Sequence, residues 1–349
     1  MNNSNTPHAA SVRSEAEELL SAPAEWDLPP SRHLHHKDVL MQHIDHDRTR
    51  STQARPTPRR RLARGVVLLP LASMALAGVL IVTLSGGDDD TSAPATRADR
   101  ASSASATLNR IAVAAMATDT KPVKDGQFVY VESLIRSNEG TFDGPVRLGA
   151  VHTREAWMSQ DPGPVTNTGW IRESGKGAVM PGQLVPVESS DPVPAGIDHP
   201  TYTWLASLPT DPDALLELLY AQTRVDGGES KEQAVFSKIG DLVSETIMPP
   251  ANAAAFYKAA AKIPGVQEIP DAVDAAGRRG IAVTREDASS ATRDEWIFDK
   301  ETLAFLGARS YLTKDEAHGV TSDTLFSTSA IMERTVVDQH GKAPAKTDS

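Results

Sequence analysis

The stretch GVVLLPLASMALAGVLIVTL, residues 65–84, holds twenty residues and no charge. As a helix rising 1.5 Å per residue it spans about 30 Å, the hydrocarbon thickness of a bilayer. Seven arginines and no acids fill residues 48–64 before it, among them Arg59, Arg60, Arg61 and Arg64, and Asp88, Asp89 and Asp90 follow it. By the positive-inside rule this predicts a cytoplasmic N-terminus, one crossing of the lipid bilayer and an extracytoplasmic C-terminal domain. A signal peptide has a shorter apolar core close to the N-terminus. Here 64 residues precede the core, which favours a retained single-pass anchor, although Ala93-Pro94-Ala95 resembles a small-residue cleavage site.

Charge divides at that stretch. Residues 1–64 carry ten basic and eight acidic side chains, net +2, and residues 85–349 carry 25 and 38, net −13. A domain this acidic is a poor match for nucleic acid or anionic head groups. Cysteine is absent, which excludes disulfides, thiolate metal sites and a cysteine nucleophile.

The expected organisation follows from these shifts. Residues 1–64 form a cytoplasmic tail with two short helices and a basic linker, 65–84 the membrane helix and 85–103 a tether. Residues 104–340 form the outer domain and 341–349 a disordered end. In the tail, Ser14 opens SEAEELL, and Ser31 is a candidate cap for a second helix reaching about Asp47. Leu34, Leu40, Met41 and Ile44 fall on one apolar stripe of that helix, which has no core of its own and suits a partner protein or the membrane face. Half of the ten histidines lie there too, as His33, His35, His36, His43 and His46. Two i,i+3 pairs could share a metal, but with no fixed third ligand the bland reading, a solvated polar face, is preferred and no metal or cofactor is expected.

Beyond the tether, the pattern predicts a helix over Ala104–Ala117 and strands at Gln127–Leu134, Val146–Met158 and Gly169–Glu173. Pro181–Pro200 reads as loop. Leu208-Pro209-Thr210-Asp211-Pro212-Asp213 is a strong helix start, followed by helices near Lys231–Glu245 and Ala251–Ala261. Strands return at Ile281–Thr284, Glu295–Phe298, Leu303–Tyr311 and Thr324–Val337. Strands, then helices, then a meander indicate an α+β domain with a curved antiparallel sheet packed with helices.

Several short motifs carry a resemblance: Leu28-Pro29-Pro30 with Arg32, the arginine-flanked span, Leu208-Pro209 with Asp211-Pro212, and Ile263-Pro264-Gly265-Val266. Asp274, Gly277-Arg278-Arg279-Gly280-Ile281 and Phe298-Asp299 with Thr302 and Leu306-Gly307 extend it over most of the chain. With these the chain resembles a family of actinobacterial single-pass membrane proteins commonly encoded beside an extracytoplasmic-function sigma factor. The resemblance implies a membrane-anchored sensor whose tail modulates a sigma factor. The outer part is similar in architecture to the half-barrel of lipoprotein carriers, implying the alternative of a tethered lipid- or peptide-binding protein.

No nucleophile elbow, zinc-protease helix or phosphate loop is present, and the chain does not read as an enzyme. His152, His199, His318 and His340 are scattered singly; Asp211 and Asp213 read as helix-cap acids. Arg278 or Arg279 could receive an anion at a turn. Trp157, Trp170, Trp204 and Trp296 are expected to line the sheet's core, with a ligand groove as the rarer reading.

Overall fold

The computed structural model describes residues 96–140, 145–225, 228–313 and 320–344. The tail, with Leu34, Leu40, Met41, Ile44 and the histidine group, lies outside the described residues, as do Arg59, Arg60, Arg61, Arg64 and the 65–84 span. Among the described residues no helix is long and apolar enough to cross a membrane.

In chain order the elements are α1 (Arg97–Met116), β1 (Phe128–Ser137), β2 (His152–Ser159), β3 (Val165–Ser174), β4 (Leu184–Val193), α2 (Tyr202–Ser207) and α3 (Pro212–Gln222). Then come α4 (Lys231–Glu245), α5 (Pro250–Ala260), β5 (Val266–Val273), β6 (Arg279–Asp287), β7 (Thr292–Phe298), β8 (Phe305–Leu312) and β9 (Thr324–Val337). The nine strands form one open antiparallel sheet in the order β4-β3-β2-β1-β9-β8-β7-β6-β5. Two meanders, β1–β4 and β5–β9, are therefore joined where the first strand pairs the last. This is the expected α+β class.

Local chemistry starts the helices where the sequence says. Asp211 Oδ1 accepts from the amides of Asp213 and Ala214 with Pro212 in the first turn, and Ser230 caps α4 by accepting from Gln233. The tether expectation is corrected at its end. Residues 97–103 are the first turns of α1, because Thr96 and Asp99 close a capping box. The loop expected over Pro181–Pro200 holds β4, an edge strand, where Pro186 and Pro192 are tolerated because one side of the strand pairs with nothing. The other edge, β5, likewise carries Pro270, beside a register shift between Ile269 and Ala272. The C-terminal end is also ordered further than expected. Trp157 Nε1 donates to the carbonyl of Lys342 and Arg172 Nη1 to that of Gly341, so residues 338–344 cross the face of β1–β3 that carries Trp157 and Trp170.

The core is gathered at one end of the sheet. α1 packs on β5 and α5, and α4 on β6. Phe236 of α4 stacks on Trp296 of β7 with ring centroids 4.0 Å apart. A Cβ at Gly240 would lie 2.4 Å from Trp296 Nε1, so only glycine lets α4 approach so closely. Val266, Val283, Trp296 and Phe298 are the sheet's buried members of this cluster, and the smaller cluster behind them (Ala272, Ala282, Ile297, Leu306) also comes from β5–β8. Strands β1–β4 contribute to neither cluster.

Candidate functional site

The helix side of β1–β4 can be traced from register. On β9, Arg334 donates through Nη1 to the carbonyls of Val243 and Ser244 at the end of α4, so Arg334 points to the helix side. Its register partner on β1 is Val131, followed across the sheet by Ala156, Ile171 and Val185. A parallel row runs Val336, Val129, Met158, Gly169 and Val187. Side chains alternate along a strand, so both rows share the helix-side face. Burial declines outward: Val129 and Val131 are buried, whereas Ala156, Met158, Ile171, Val185 and Val187 are half-buried. The next row is polar, with Ser133, Arg154 and Glu173, and His152 lies 3.5 Å from Glu173. The face thus has an apolar floor with a polar border.

The flank of α4 forms the other border. Ser237, Asp241 and Ser244 lie at i, i+4 and i+7, on one stripe. Ser237 Oγ and Gln233 Nε2 both donate to Asp294 of β7, and Ser310 of β8 donates to its other oxygen. Asp241 is open to solvent, yet burial raises its pKa to about 7, helped by the charges of Glu245, Asp294 and Glu229 and opposed by Lys238. Arg334 is likewise open to solvent while burial lowers its pKa, opposed by the nearby Tyr257. Water at both side chains screens their charges.

The opposite face is closed by ion pairs and by the chain's own end. Glu155 accepts two bonds from Arg172, at 2.7 and 2.8 Å, and one from Tyr130 at 3.1 Å. Trp170 stacks on His340 at 3.7 Å. On β7 and β8, Glu295 is held by Arg293 and Arg309. This face is satisfied internally.

The residues singled out in the sequence take structural places. Trp157 and Trp296 are buried against the sheet, as expected, while Trp170 and Trp204 are only partly buried; Trp157 and Trp170 lie on the face away from the helices. His199 is buried with Nε2 2.9 Å from the Asp161 carbonyl oxygen. Arg278 is occupied by Asp274 and the carbonyls of Leu306 and Ile331, and Arg279 by Asp271, which removes the anion reading of that turn. Gly175 and Gly177 have positive φ in the turn between β3 and β4. Among the described residues no group of three or more His, Asp or Glu is placed to hold a metal. The apolar rows were missed by sequence reasoning because they exist only after four strands are set in register.

No family model and no curated protein matches the chain. Among solved structures, a DUF1329 family protein from Desulfovibrio piger is similar over 70% of this chain and 95% of that one, at 9% identity and a TM-score of 0.22. The likeness to sigma-factor-linked membrane proteins accordingly has no family model behind it, and the open antiparallel sheet is read from its own strands.

Proposed function

We propose that the chain is a binding protein that holds an apolar molecule, a lipid of the envelope, on the helix-side face of β1–β4. One observation carries this reading: four strands present two apolar rows yet belong to no core cluster. Apolar surface left in water forgoes about 25 cal/mol per Å², and a contiguous patch of it marks an interaction site. The opposite face of the same strands is closed, so the ligand side is defined by exclusion as well as by composition. The uncharged 65–84 stretch behind its arginines supports tethering this protein in a membrane, with the domain on the extracytoplasmic side. Sigma-factor modulation rests on Leu34, Leu40, Met41 and Ile44, and no described residue bears on it.

The test is titration of the full chain, in phosphatidylcholine nanodiscs, with a fluorescent fatty acid read by energy transfer from tryptophan and referenced to empty nanodiscs. Saturable binding is expected, lost in Ile171→Asp, which charges the floor, and retained in Leu184→Asp, on the other face of β4. Absence of saturable binding, or equal loss in both variants, contradicts the reading. Competition by an apolar peptide but by no lipid would keep the face and change the ligand class.

A further inference from the structure

We infer that the molecule held on this face is an anionic amphiphile whose head group pairs with Arg334; this rests on the binding reading above. Arg334 stands at the start of an apolar row, beside Val131, with Ala156, Ile171 and Val185 beyond it. Four strand spacings separate β9 from β4, roughly 19 Å, which is the reach of a long acyl chain. A head at Arg334 therefore leaves a tail lying along the floor.

Arg334 differs from the ion-paired arginines of the sheet. Arg172, Arg278, Arg279, Arg285, Arg293 and Arg309 each stand on a carboxylate. Around Arg334, among the described residues, no acid lies within ion-pair distance. Its Nη1 caps the last carbonyls of α4, a favourable place for a cation, and this anchors the side chain without neutralising it. The scarcity is not one of acids, since residues 85–349 hold 38 of them against 25 bases. A guanidinium is always charged and matches carboxylate or phosphate oxygens through paired N–H donors. Tyr257, buried in the helix-packed core, lies near enough for the charge of Arg334 to act on its phenol.

The experiment compares two probes on the full chain in phosphatidylcholine nanodiscs: a fluorescent fatty acid and the matching primary alcohol, at pH 8. The acid is expected to bind about tenfold more tightly, the size of a charge-assisted pairing over a neutral one. Arg334→Gln should bring the acid down to the alcohol's level, and Arg334→Lys should restore part of the difference. The wild-type comparison needs no variant, so a folding defect in Arg334→Gln cannot obscure it. Equal affinities of acid and alcohol for the wild-type chain overturn this inference and leave the apolar site standing. Failure of both probes to bind saturably overturns the binding reading itself.

Discussion

The two ends of the sheet are built from similar strands and put to different uses. β5–β8 bury Val266, Val283, Trp296 and Phe298 against helices. β1–β4 carry valines and isoleucines at equivalent alternating positions but, beyond the buried Val129 and Val131 of β1, leave them half-covered, and close their opposite face with the Glu155–Arg172 pair and the C-terminal strap. The contrast teaches that alternation specifies which face is apolar, not what covers it. Among the described residues, α1 on β5 and α4 on β6 help build a core at that end of the nine-stranded sheet, and the other end keeps a floor.

The sharpest way to break this contrast is truncation on each side. Phe236→Ala, which removes the ring stacked on Trp296, is expected to lower unfolding stability by about 3–5 kcal/mol in a denaturant titration. Ile171→Ala should lose less than about 1 kcal/mol, since a half-buried side chain leaves little cavity. Similar losses at the two positions would mean that β1–β4 are as well packed as β6 and β7.

A smaller effect tests the closed face. Glu155→Gln leaves Arg172 and the Tyr130 hydroxyl facing a neutral amide, and about 2 kcal/mol of stability should go with it, less than for a fully buried pair because Arg172 is partly exposed. If that variant instead weakened fatty-acid binding while leaving stability unchanged, the assignment of the two faces would be reversed.

The smallest effect belongs to Asp241. Its folded pKa of about 7 lies above the ordinary value of 3.8, so between those values the folded chain keeps a proton that the unfolded chain gives up. Stability from this group is therefore present at low pH and falls as pH rises from about 4 to 7. Solvent access at Asp241 limits its size. Denaturation midpoints measured at pH 5 and pH 8 should differ less in Asp241→Asn than in the wild type. An unchanged difference would place Asp241 on ordinary exposed surface.

Much of the fold was legible. α4 over Lys231–Glu245 and β9 over Thr324–Val337 match their sequence expectations, with Ser230 as the cap that marks where α4 starts. β4 and β5 were hidden by Pro186, Pro192 and Pro270, which read as breakers until the strands are known to be edges. The start of α1 was misread from its Arg, Asp and Ser content, although Thr96 and Asp99 already spelled a capping box. The candidate site was not legible. Val131, Ala156, Ile171 and Val185 meet only through three register choices, and Arg334 reaches carbonyls 90 and 91 residues away.

Amide hydrogen exchange on the full chain, with and without saturating fatty acid, addresses the difference between the two ends most directly. Protection is predicted to rise over residues 153–158, 169–173 and 184–188, while amides of β6 and β7 keep their rates. Equal protection of both ends without ligand, unchanged when the fatty acid is added, would contradict a ligand-binding floor on β1–β4.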